Sequence, residues 1–118
     1  MKLKVLVSIF FIFTFSILIF WLKNKEESGN SLDSFAQCLT SKGVTMYGAY
    51  WCPHCQNQKK LFGSSFKYIK YIECTQDVKT CQEKNIQSYP TWIFEDGSRV
   101  EGEVSLDQLS QTSNCLLQ

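Results

Sequence analysis

Apolar residues are distributed along this chain in two ways. From Val5 to Leu22 they run for eighteen residues without a charge or a proline, with Phe10, Phe11, Phe13, Phe15 and Phe20 among them. Beyond Asn24 they recur in short periodic groups separated by polar positions. As a helix rising about 1.5 Å per residue, the first run covers most of a bilayer core and puts Trp21 at interface depth. Lys2 and Lys4 precede it, and Lys23-Asn24-Lys25-Glu26-Glu27 follows with no small-residue cleavage site. Residues 1–23 are therefore expected to be an uncleaved transmembrane signal anchor, with a cleaved signal peptide as the alternative. The N-terminal amine adds to the charge of Lys2 and Lys4, which places the N-terminus inside and the rest outside. Residues 24–30 are polar, include Gly29 and lack periodicity, so they read as a tether to a domain over residues 31–118.

Within that domain the period changes repeatedly. Leu32, Phe35, Ala36 and Leu39 recur at helical spacing between a Ser31 cap and a Gly43 stop. Val44 to Tyr50 is too short for a helix and suits a buried central strand. A helix is expected from Cys52 to Phe62, ended by Gly63, with Gln56, Asn57, Gln58, Lys59 and Lys60 on its wetter side. Phe66 to Glu73 reads as an imperfect strand closed by Cys74, and Asp77 to Asn85 as a short helix carrying Cys81. Thr91 to Phe94 and Arg99 to Glu101 form a hairpin about Asp96-Gly97. Ser105-Leu106-Asp107-Gln108 has the Ser-x-x-Gln capping pattern and opens a last helix that runs toward Cys115. Helix, strand, helix, strand, helix, hairpin, helix is an α/β order: a mixed central sheet flanked by helices, behind one N-terminal transmembrane helix.

Charge removes one class of function. From Asn24 onward nine Lys and Arg face eleven Asp and Glu, so there is no basic patch for nucleic acid. Six cysteines in 118 residues point to an oxidising compartment, which agrees with a domain held outside the membrane.

The chemistry lies in Trp51-Cys52-Pro53-His54-Cys55. Cys52 suits a helix N-cap and Pro53 the first helical position, where its missing N–H is not needed. Cys55 then lies about one turn on, on the same face. A helix N-terminus stabilises a thiolate at Cys52 more than at Cys55, and a protonated His54 adds to that effect. Cys52 is expected to be the exposed nucleophile and Cys55 the shielded resolving partner. The pair acts as its own redox group, with no cofactor and no metal. Half of a zinc site is the alternative, although Cys74 and Cys81, with six residues between them, do not repeat a tight knuckle spacing. Those six residues can turn back and allow a structural disulfide, or a relay that exchanges with Cys52-Cys55. Cys38 and Cys115 lie on the first and last helices of the domain, and either a disulfide or two free thiols fits the sequence.

This arrangement, with Tyr89-Pro90-Thr91 ahead of the hairpin, resembles the thioredoxin family over roughly residues 31–115. The resemblance implies a thioredoxin-like fold and a cis Pro90 facing the cysteine pair. It also implies that the Tyr89 backbone pairs with a bound substrate chain, with Trp51 and Pro53 beside it. A closer resemblance is to the thioredoxin-like domain associated with bacterial and archaeal homologues of vitamin K epoxide reductase. The similarity covers Met46 to Cys55, Phe62-Gly63, Glu73-Cys74 with a later Cys81, and Ser88 to Trp92. One anchor stands where those proteins carry a multi-helix quinone-reducing unit, so a vitamin K epoxide reductase-like membrane protein is expected as a separate electron acceptor. Thr45, Met46 and Tyr47 occupy the stretch where many thioredoxins have a buried acid.

The Pro-His dipeptide is also that of DsbA-type periplasmic oxidants. Those poise near −120 mV against about −270 mV for thioredoxin, a gap of about 7 kcal/mol. The expected function is a single-pass plasma-membrane oxidoreductase that donates its Cys52-Cys55 disulfide to cysteine-containing secreted proteins. A reductase or isomerase working in the opposite direction and a non-catalytic peptide-binding module are the alternatives.

Overall fold

A computed structural model describes residues 1–23 and 32–117. The proposed tether, the Ser31 cap and the Trp21 side chain lie outside the described residues. Helix α1 (Lys2–Lys23) has 22 residues, which is about 33 Å of helix against a bilayer core of about 30 Å. Its Lys2–Phe20 stretch has mean hydropathy 2.5 and none of it is buried in the protein. It is thus an apolar N-terminal helix of membrane-crossing length, and not a core helix.

The remaining elements are α2 (Asp33–Ser41), β1 (Thr45–Gly48), α3 (Pro53–Phe62), a 3₁₀ helix (Gly63–Tyr68), β2 (Lys70–Glu73), α4 (Val78–Glu83), β3 (Thr91–Ile93), β4 (Arg99–Glu101) and α5 (Leu106–Ser113). The strands form one mixed sheet in the order β2-β1-β3-β4. β1 and β2 are parallel, so the chain must cross over between them, and α3 makes that crossover. β3 runs antiparallel to β1 and pairs with β4 through the Asp96-Gly97 turn, where Gly97 takes φ +83°. All four residues of β1 are buried, as a central strand requires, and the edge strands β2 and β4 are partly wet.

The period-2 alternation of β1 divides the interior. Met46 points into a core shared by Phe35 and Leu39 of α2, Phe62 of α3, Trp92 of β3 and Leu109 of α5. Tyr47 points the other way, into a smaller cluster with Cys74 and Cys81. Phe62 is central to the larger core, stacked on Phe35 with ring centres 6.1 Å apart and tilted against Trp92 at 6.1 Å.

Two expected features are corrected. Phe66 to Glu73 is not one strand: after Gly63 the chain winds as a 3₁₀ helix to Tyr68, and only Lys70–Glu73 pairs. Phe66 satisfies its aromatic ring in that turn, edge-on to both Phe62 and Tyr71, which mimics strand alternation in the sequence. Gln58 is not on the wet side of α3 but 0% exposed. Its amide donates to the Val104 carbonyl at 2.9 Å and accepts from the Val104 N–H at 2.7 Å, acting as a one-residue strand partner.

Candidate active site

The end of β1 delivers the cysteine pair. Gly48 closes the strand, the Cys52 N–H bonds the Ala49 carbonyl at 3.1 Å, and α3 begins at Pro53. Cys52 is the N-cap, with extended backbone (φ −75°, ψ 117°), and its sulfur accepts the Cys55 N–H at 3.2 Å. A side chain that accepts an N–H at this position normally supplies an oxygen. Here the acceptor is a sulfur, set against the positive end of the α3 dipole.

The expectation of an exposed Cys52 is corrected. The residue is 4% exposed, against 0% for Cys55. The reason is a loop far away in sequence: the Cys52 thiol donates to the Tyr89 carbonyl at 3.6 Å. The Tyr89-Pro90 peptide is cis, and the Trp51 ring stands edge-on to Tyr89 at 6.0 Å. Trp51 itself is 57% exposed and Tyr50 is also exposed, while Pro53 lies on the outer face of the first turn. Trp51, Cys52, Tyr89 and Pro90, named from sequence, are thereby brought together.

Cys55 sits deeper. Burial first, then a hydrogen bond to Cys52, pushes its thiol up to about 12. A Cβ placed on Gly48 would stand 2.9 Å from the Cys55 sulfur and 3.1 Å from the Tyr71 hydroxyl, so glycine is what lets the strand approach the thiol. Tyr71 donates to Glu73 at 2.8 Å. Burial, and then that bond, holds the Tyr71 phenol above its ordinary range. Burial alone would raise Glu73, but hydrogen bonds from Thr75, Tyr71 and the Tyr50 backbone outweigh it and hold the carboxyl below the usual range. The Lys59 ammonium lies 3.9 Å from the Tyr71 ring centre.

Opposite this side, three consecutive residues strap the site. The Gly102 N–H bonds the Pro90 carbonyl at 2.7 Å, with Gly102 at φ +91°. Glu103 Oε1 meets His54 Nδ1 at 2.7 Å and accepts from Asn57 Nδ2 at 3.1 Å. Val104 holds Gln58 as described. His54 therefore faces a carboxylate that no sequence argument placed beside it. Sequence reasoning also missed Gly48, Gln58, Tyr71 and the 102–104 strap. A glycine at the end of a buried strand is a readable sign of close approach; the others have no local signal.

The remaining four cysteines are joined. Cys38 and Cys115 are bridged with Cα atoms 5.9 Å apart, and Cys74 and Cys81 with Cα atoms 5.7 Å apart. Cys52 and Cys55 carry the free thiols among the described residues. No group of three or more His, Cys, Asp or Glu able to hold a metal is found among the described residues.

No family model matches the chain. It is 38% identical to Thiol-disulfide oxidoreductase LTO1 of Arabidopsis thaliana, over 66% of this chain and 23% of that protein. It is 35% identical to Thioredoxin domain-containing protein 5 homolog of Drosophila melanogaster, over 58% of this chain and 19% of that one. The chain thus spans about a fifth to a quarter of the length of these curated relatives. Among solved structures it superposes on chloroplastic thioredoxin z with TM-score 0.50 at 18% identity, covering 60% of this chain and 74% of the other. A structure described as a malarial protein gives TM-score 0.51 at 20% identity, covering 63% and 96%. Likeness at that identity is likeness of fold, and the fold is thioredoxin-like.

Proposed function

We propose that this thioredoxin-like chain is a thiol-disulfide oxidoreductase, held at the outer face of the plasma membrane by α1 with its N-terminus inside. Its Cys52-Cys55 disulfide is passed to cysteine-containing secreted proteins. The observation that carries this reading is the Cys52 sulfur, seated at the α3 N-cap against a helix N–H and facing the Tyr89 carbonyl beside Pro90. The Arabidopsis relative is named a thiol-disulfide oxidoreductase, which supports the same reaction class.

In the proposed cycle the oxidised Cys52-Cys55 pair is the disulfide donor. A substrate thiolate attacks the Cys52 sulfur of the oxidised pair, forming a mixed disulfide and expelling Cys55 as a thiolate. Cys55 takes up a proton at once, because its buried site favours the neutral thiol. The substrate chain lies along the Tyr89-Pro90 backbone, with Trp51 against it. A second substrate thiolate attacks the substrate sulfur of the mixed disulfide; Cys52 leaves, and the helix N-terminus stabilises its charge. Two electrons have then passed from the substrate to Cys52-Cys55. A separate quinone-linked membrane protein, of the vitamin K epoxide reductase-like kind, removes them.

The test is equilibration of the full chain, in detergent, with glutathione and glutathione disulfide, followed by oxidation of a reduced two-cysteine peptide. Net disulfide transfer to the peptide is expected, with a potential nearer the oxidant end of the thioredoxin-like range. A potential near that of thioredoxin, with transfer only toward the enzyme, would reverse the direction. Peptide binding that survives in a Cys52→Ser, Cys55→Ser double variant, with no transfer by the parent chain, would replace the enzyme by a binding module.

A further inference from the structure

We infer that Glu103 is a positioning residue for the Cys52-Cys55 couple: it holds the chain's single imidazole by Nδ1 in the first turn of α3 and sets a carboxylate against any positive charge there. The couple is then less oxidising than an unpaired Pro-His dipeptide would make it. The inference rests on reading Cys52-Cys55 as a redox couple.

The strap is what makes Glu103 more than a passing surface partner. Its neighbours on both sides are pinned, Gly102 to the Pro90 carbonyl at 2.7 Å and Val104 to the Gln58 amide at 2.7 and 2.9 Å. The carboxylate has a second anchor in Asn57, one turn from His54 on the same helix. An isolated exposed ion pair contributes little because two long side chains must be held in one geometry. Here backbone bonds on either side already hold the Glu103 position. The charge logic points the same way. A cation in the first turn opposes the helix macrodipole, so His54 as an imidazolium needs an anion near it, and Glu103 supplies one. The titratable groups in or against that turn include Cys52 at the N-cap, Cys55 buried behind it and Glu103 from the strap; Asn57 is uncharged. An unpaired imidazolium would favour the Cys52 thiolate and hence the dithiol, whereas an imidazolium matched to a carboxylate contributes little net charge.

The reaction that reads this out is the Cys52-Cys55 disulfide plus two glutathione thiols going to the dithiol plus glutathione disulfide, two electrons and two protons entering the pair. The full chain in detergent micelles is equilibrated at pH 6, where an unpaired imidazole is largely protonated. In E103Q the equilibrium constant toward dithiol is expected to rise roughly two- to fivefold, the size of a partly exposed charge interaction. Asn57→Ala, which keeps the carboxylate but removes its second anchor, is expected to move the constant the same way by less. In a His54→Gln background E103Q is expected to change nothing. An unchanged constant in E103Q, a shift toward disulfide, or the same shift with and without His54 would overturn the inference. A parent chain that never forms the Cys52-Cys55 disulfide at any glutathione ratio would overturn the functional reading instead.

Discussion

Cys52-Cys55 and Cys74-Cys81 are nearly equally hidden from water, yet the structure gives them opposite characters. Both pairs lie against the end of β1. The Gly48 carbonyl accepts the Cys74 N–H at 2.8 Å, and the open Cα face of the same glycine meets the Cys55 sulfur. Cys74 and Cys81 close a short loop between a strand end and a helix, and they pack among Tyr47, Ile72, Ile86, Tyr89 and Ile93. Cys52 has a helix N–H pointed at its sulfur and an exposed aromatic rim beside it. Burial therefore does not separate the free pair from the bridged one; the helix N–H at the Cys52 sulfur and the exposed aromatic rim beside it do.

The sharpest way to break this comparison is to remove one member of each pair. Cys52→Ser is expected to abolish disulfide transfer to a peptide while leaving the melting temperature of the reduced protein nearly unchanged. The paired Cys74→Ala, Cys81→Ala variant should do the reverse. By the chain-entropy model it loses roughly 2 to 3 kcal/mol of stability, and its folded fraction transfers at the parent rate. Denaturant titration alongside a turnover assay reads both. If Cys74→Ala slows turnover without lowering the melting temperature, the second pair is a relay and the comparison fails. The Cys38-Cys115 bridge spans 77 residues, so its removal is expected to cost more, roughly 4 kcal/mol on the same model.

Gly48 serves both pairs, and Gly48→Ala is expected to cost about 1 to 3 kcal/mol, since the added methyl meets sulfur at 2.9 Å and a ring at 3.1 Å. Mixed disulfides at Cys52 should persist longer in this variant, seen by acid trapping and mass spectrometry, because a displaced Cys55 returns more slowly to the Cys52 sulfur. Gln58→Ala strands the Val104 N–H and carbonyl in the interior and is expected to cost a similar amount, about 1 to 3 kcal/mol. Urea melts measure it.

The smallest expected effect is one of pH. In the reduced protein the fold prefers the neutral Cys55 thiol. The resulting stability is complete below the ordinary thiol pKa of 9.0 and drains away as pH rises toward about 12. Tyr71, also held above its ordinary value, adds to the loss above about pH 10. Comparing reduced parent with Cys55→Ser isolates the thiol: the parent should lose more stability between pH 9 and pH 11. Equal slopes would show that Cys55 ionises freely and is not shielded.

How much of this was legible in advance depends on how local each feature is. The start of α3 was, because N-cap chemistry, Pro at the first helical position and a Gly stop at Gly63 act within one or two turns. The β3-β4 hairpin and the Ser105 cap were legible for the same reason, with Ser105 accepting the Gln108 N–H at 3.1 Å. The 3₁₀ winding at Gly63–Tyr68 was not. Its aromatic alternation copies a strand, and only packing of Phe66 between Phe62 and Tyr71 distinguishes the two.

Periodicity and capping in the chain account for the apolar N-terminal helix, the α/β order and the place of Cys52-Cys55 at the start of α3, since each is written in adjacent residues. Tertiary structure alone decided what surrounds that pair. The Tyr89 carbonyl over Cys52, the glycine face against Cys55 and the Glu103 carboxylate on His54 join residues separated by 37 positions in the first case and 49 in the last. Side chains that far apart meet only because a parallel crossover and a hairpin fold back on one sheet. The short-range periodicity that reveals helices and strands carries no record of which loop will close over which end.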